Sequence, residues 1–116
     1  MSAGFKVAGE FFWGTNGAVE AYVEALAGLA AARFGPDDPL SAFFCDERDA
    51  FFTGKIVFLD RFLTSPQSRR RLVELFDGAT EQLLREGAFS DYGREWVEST
   101  MRPLQARLAG APEAPA

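Results

Sequence analysis

The chain contains no histidine. Histidine is the one side chain whose unperturbed pKa lies near neutrality, and it is the commonest general base and metal ligand. Its absence excludes Ser-His-Asp and Cys-His nucleophile systems. Cysteine is almost missing as well. Cys45 stands alone, so no intramolecular disulfide forms and the disulfide-rich secreted class is excluded. One cysteine without histidine also cannot furnish a tetrahedral zinc site. Only two lysines occur, Lys6 and Lys55, neither beside a serine motif. Catalysis is thereby narrowed to paired carboxylates or lysine chemistry. No apolar run approaches the roughly 20 residues of a membrane span. The opening Met-Ser-Ala-Gly-Phe-Lys has no charged region followed by an apolar stretch. We therefore expect no signal peptide, no membrane association and a soluble, cytoplasmic protein.

What the chain does have is aromatic and acidic character. Its 116 residues are 47% hydrophobic and 25% charged, the balance of a globular domain rather than a disordered segment. That length suits one domain, which we expect over residues 1–109, with 110–116 as a flexible proline-containing tail. Ten of the twelve phenylalanines fall between Phe5 and Phe62, so the first half should supply most of the core. The net charge is −5. Residues 1–60 hold four basic and nine acidic groups, and residues 61–116 hold eight of each, so the whole excess lies in the first half. An acidic surface repels phosphate backbones and anionic membranes and favours a basic partner.

Residues 4–13 alternate, with Phe5, Val7, Gly9, Phe11 and Trp13 on one face, the period of a half-buried strand. Gly14-Thr15-Asn16-Gly17 breaks the pattern and offers Thr15 or Asn16 as a helix cap. Val19, Tyr22, Val23, Leu26, Leu29 and Ala30 then form a helical stripe, with Glu20, Glu24, Ala27 and Ala31 away from it, until Gly35-Pro36 stops it. Leu40–Cys45 and Ala50–Leu59 read as two strands around a polar break, close enough for a hairpin, and the second is apolar on both faces, as a central strand would be. Thr64-Ser65-Pro66 starts a helix that Gly87 caps. Ser90 or Asp91 starts the last one, with a kink or stop expected near Arg102 because Pro103 follows. The expected fold is α+β in the order β-α-β-β-α-α, a small, mainly antiparallel sheet of about three strands packed with three helices.

No catalytic residues, metal ligands or cofactor can be assigned. Asp37, Asp38, Asp46, Glu47 and Asp49 face only Arg48 in their segment and make the best candidate contact for a partner, with Trp13, beside its glycine loop, as a partly exposed anchor. The spacing of Asp46, Glu47 and Asp49 matches no calcium loop. Gly14–Gly17 lacks the lysine of a phosphate loop, and an ordinary turn with a cap is the simpler reading. Arg69, Arg70 and Arg71 open a helix and form a weak anion-binding candidate, too few for a nucleic-acid footprint. Cys45 reads as core packing. The favoured reading is a non-catalytic acidic module, of the inhibitor or immunity-protein kind, that binds a basic protein. Two alternatives are a small-molecule-binding domain or carboxylate enzyme using Glu10, Glu20 or Asp60, and a homo-oligomer, such as a dimer, joined through Phe51–Leu59.

Overall fold

The computed structural model describes residues 2–110. It is an α+β fold in which a three-stranded mixed sheet, ordered β2-β1-β3, carries its helices on one face. Strand β1 (Ser2–Val7) is central. It pairs antiparallel with β2 (Glu10–Thr15) and parallel with β3 (Ile56–Phe58). Between β2 and β3 run α1 (Asn16–Phe34) and α2 (Pro39–Asp49), the helical crossover that a parallel neighbour requires. A 3₁₀ turn (Asp60–Leu63) leads to α3 (Pro66–Arg85). The chain then continues through α4 (Asp91–Trp96), a π-helical turn (Val97–Met101) and α5 (Arg102–Gly110) without a break.

The alternating run 4–13 is two strands, not one. Ala8 (φ 50°) and Gly9 (φ 83°) both take the left-handed conformation, which makes them the central residues of a two-residue hairpin turn. Asp60 Oδ1 accepts the Ala8 N–H at 2.6 Å, and Arg107 Nη2 donates to the Ala8 carbonyl at 3.5 Å, so the turn is tied to the 3₁₀ turn after β3 and to the last helix. The turn also resorts the faces. Phe5 pairs with Phe12, Gly4 with Trp13 and Lys6 with Phe11. Ala3, Phe5, Val7 and Phe12 point into the core, while Phe11 and Trp13 point away from it.

Leu40–Cys45, expected as a strand, is helical. Asp38 caps α2 by accepting the Leu40 N–H at 3.0 Å, Pro39 occupies its first turn, and Leu40 and Phe44 face inward one turn apart. No hairpin therefore joins it to the next segment. Of Ala50–Leu59 only Ile56–Phe58 is strand, and it lies at the sheet edge rather than the centre. The sheet is mixed, not mainly antiparallel, and the element order replaces the expected β-α-β-β-α-α. Pro103 neither stops nor ends the last helix: the π turn precedes it, with the Arg102 N–H reaching the Val97 carbonyl. Gly110, the first residue of the expected tail, is the last described residue of α5, and residues 111–116 lie outside the described residues.

Helix α1 is buried on more than one side. Val19, Tyr22, Val23, Leu26 and Ala30 follow the expected stripe, but Ala27 is also fully buried, because α2 and α3 both pack against this helix. Phe5 meets Tyr22 and Phe76 edge to face at 6.5 and 5.3 Å, so the sheet and helix layers interlock through aromatic rings. One buried polar network crosses the helices. Tyr22 Oη lies 3.0 Å from Thr80 Oγ1. Thr80 in turn reaches the Phe76 carbonyl at 2.9 Å and Gln105 Oε1 at 3.0 Å, and Gln105 Nε2 donates to Asp77. Thr80 has one hydroxyl proton for its two acceptors, so Tyr22 is the donor to Thr80. Burial pushes the Tyr22 phenol above its ordinary value of 10.0.

Candidate interaction face

With the described helices on one side, no described layer covers the other face of the sheet. Each strand contributes large side chains there. Phe11 is 43% exposed, Trp13 47% and Phe58 55%. Phe11 and Trp13 stack with ring centroids 5.4 Å apart and planes 7° apart. Gly4 lies beneath Trp13, where a Cβ would come within 3.1 Å of the indole and 2.8 Å of the Phe12 carbonyl oxygen, so only glycine lets the ring lie down on the central strand. Lys6 rises between the outer strands with its Nζ 5.6 Å from the centroids of both Phe11 and Phe58. It makes no ion pair with a described residue. In the loop before β3, Phe52 is 59% exposed, with Lys55 Nζ 4.9 Å above its ring. A run of exposed aromatics on an unlayered sheet face is an apolar surface of the kind that marks association.

At the far end of β2 this face runs into a pocket of about 250 Å³ lined by Trp13, Gly14, Thr15, Tyr92 and Trp96 among others. Trp96 Nε1 donates to the Trp13 carbonyl at 2.7 Å, which shields the β2 edge at that point. The indole sits directly on Gly14, where any side chain would collide with it. Tyr22 and Phe89 hold the other side of the Trp96 ring, edge to face at 5.8 and 6.2 Å. Tyr92, on the outer wall, is 74% exposed. Of these residues the sequence passes over Tyr92, offers Phe58 within the Phe51–Leu59 segment of the dimer alternative, and sets Phe11 on the same strand face as Phe5. The signal that places Phe11 is Ala8-Gly9, since a turn there reverses the faces of the following strand, whereas Phe58 is placed by the parallel pairing of β3 with β1.

The acidic candidates are not gathered into one patch. Asp37 and Asp38 precede α2, whereas Asp46, Glu47 and Asp49 end it, roughly 14 Å further along its axis. Three of the five already have partners. Asp38 caps the helix and binds Arg71 at 3.0 Å, Glu47 pairs with Lys55 at 2.8 Å, and Asp49 pairs with Arg48 at 3.0 Å. Asp37 and Asp46 are exposed and make no ion pair with a described residue. Trp13 lies on the sheet face, apart from both groups.

The arginine triplet also divides. Arg71 is taken up by Asp38 and by the Phe34 ring, 4.5 Å from its guanidinium, while Arg69 and Arg70 border a surface hollow with Pro66, Val73 and Ala109. Thr15 caps α1 by accepting the Ala18 N–H, and Asn16 Oδ1 accepts the Gly54 N–H at 3.0 Å, so the Gly14–Gly17 loop is a cap and a brace for the loop before β3. Among the carboxylates proposed for chemistry, Asp60 braces the hairpin turn, and Glu10 and Glu20 are exposed. Cys45 is half-buried against the core. No group of three or more metal-ligating side chains is gathered among the described residues, and no helix among them is long and apolar enough to cross a membrane. No protein-family model, curated protein or solved structure matches the chain.

Proposed function

We propose that the chain is a non-catalytic protein-binding module that meets its partner through the uncovered face of the sheet. The observation that carries this reading is the exposure of Phe11 and Trp13 on β2 and of Phe58 on β3, the two outer strands, on one face of the sheet. Aromatic side chains supply much of the affinity at protein interfaces when water is excluded from them. The net charge of −5, with Asp37 and Asp46 exposed, favours a basic partner and would speed its approach, while the aromatic face supplies the affinity.

Self-association through the same face is the competing reading. Lys6 argues against its symmetric form. It stands near the middle of the face without an anion, and a two-fold axis through that point would set two such ammonium groups against each other.

The test is capture from the source cell's lysate by the wild-type chain and by a Trp13→Ser/Phe58→Ser variant, at low and moderate salt. Both replaced side chains are about half exposed and outside the core, so the variant should still fold, with a loss of about 1–2 kcal/mol that circular dichroism and thermal unfolding check. The expected result is a basic protein held in stoichiometric amount by the wild type, weakened by salt, and lost from the variant. Equal retention by both baits contradicts the reading.

A further inference from the structure

We infer that the pocket between Trp13, Trp96 and Tyr92 receives the guanidinium of an arginine on the partner protein. This rests on the binding-module reading and names the anchor for it. The argument begins with size. At about 250 Å³ the pocket lies below the roughly 300–1,000 Å³ that drug-sized ligands occupy, and it suits a single side chain. Both tryptophans of the chain and Tyr92 line it, with small uncharged residues between them, and no charged side chain of a described residue does.

Elsewhere on this molecule cations already sit over aromatic rings. Lys6 lies over Phe11 and Phe58, Lys55 over Phe52, Arg61 over Phe43 and Phe62, and Arg71 over Phe34. No described cation lies over Trp13, Trp96 or Tyr92, although indole is the strongest of the ring acceptors. Arg94, nearby in sequence, borders a separate hollow with Glu95 and Glu98. Charge complementarity then selects the occupant, because a chain of net charge −5 attracts a cation to an aromatic pocket that holds none of its own. Among cationic side chains the guanidinium is planar and weakly hydrated, so it gives up its water more readily than an ammonium and stacks on ring faces.

Because Trp13 and Trp96 are the only tryptophans, the two indole N–H signals in a ¹⁵N-labelled sample report on this pocket alone. The titrants are Nα-acetyl-arginine amide and Nα-acetyl-citrulline amide, which match in shape and differ in charge. The expected result is a saturable shift of both indole signals by the arginine compound, at roughly one fifth of the concentration the citrulline compound needs. Tyr92 is mostly exposed, so Tyr92→Ala should leave the fold intact and weaken arginine binding several-fold, while Tyr92→Phe retains it. Equal midpoints for arginine and citrulline, no saturable shift, or no effect of Tyr92→Ala would each overturn the inference. The experiment needs no partner. If arginine fails to bind while capture still separates the wild type from the Trp13→Ser/Phe58→Ser variant, the anchor falls and the module reading stands. If arginine binds and capture does not separate them, the pocket stands and the face reading falls.

Discussion

At Thr80 a single hydroxyl links three elements, with Tyr22 of α1 donating to it, the Phe76 carbonyl of α3 accepting from it and Gln105 of α5 beside it. Replacing either end of this chain of contacts has a different cost. Tyr22→Phe removes one buried hydrogen bond while Thr80 keeps its acceptors, a loss of about 1 kcal/mol. Thr80→Val keeps the shape but strands the Tyr22 hydroxyl in the core, which should cost about 2–3 kcal/mol. Urea denaturation of the two variants checks the order, and a larger loss for Tyr22→Phe would contradict it. Ionisation adds a second signature. The folded-state phenol titrates above 10.0, so the unfolded chain releases this proton first as pH rises. The stability that Tyr22 contributes is therefore complete below that value and is lost as pH climbs through the folded-state value. Wild-type stability should fall more steeply above pH 10 than that of Tyr22→Phe, and parallel curves for the two would count against a buried phenol.

Among the elements, the β1–β2 hairpin determines most of what followed. Alternation persists unbroken across Ala8-Gly9, so periodicity alone reads one long strand. Only the need for two consecutive left-handed residues separates it into two, and alanine is a poor marker of that need. The same residue carries a prediction. Ala8→Asn suits the left-handed conformation, leaves the backbone bonds to Asp60 and Arg107 in place, and should stabilise the protein by about 0.5–1 kcal/mol. Thermal unfolding checks this, and a lower melting temperature would mean that the Ala8 methyl group matters more than its backbone strain. Helix α2 is legible in the sequence, though its length and apolarity alone suggest a strand. Asp38-Pro39 is the same cap-then-proline signal that correctly marked α3 at Ser65-Pro66, and Leu40, Phe44 and Glu47 keep helical spacing. At Pro103 the local effect alone predicts a break. The π turn at Val97–Met101 reorganises the hydrogen bonds just before the proline, while Val97, Met101, Leu104 and Leu108 hold the whole segment to the core, so tertiary packing outweighs the local break.

For the molecule as a whole, the governing feature is that its layers stop at two. Phe5, Tyr22, Phe76 and their neighbours fill the space between sheet and helices, and nothing described stands on the opposite face. Composition foretold an aromatic surplus, and it marked Trp13 as a partly exposed anchor. It did not foretell that Phe11 and Phe58 join Trp13 on one surface, because that depends on the hairpin register and on the parallel return of β3 beside β1. Charge misled in a different way. The acidic run from Asp37 to Asp49 looks continuous along the chain, but a helix lies within it, and Arg71, Lys55 and Arg48 each take one of its carboxylates. The central claim is that the uncovered sheet face is where a different protein binds. It is tested most directly by placing a photo-crosslinking amino acid at Phe58, and in a second strain at Glu81, which is exposed on α3, and irradiating living cells. The account predicts one discrete adduct with another protein from position 58 and none from position 81. No adduct from position 58, equal adducts from both positions, or an adduct of twice the 12.7 kDa chain from position 58 would contradict it.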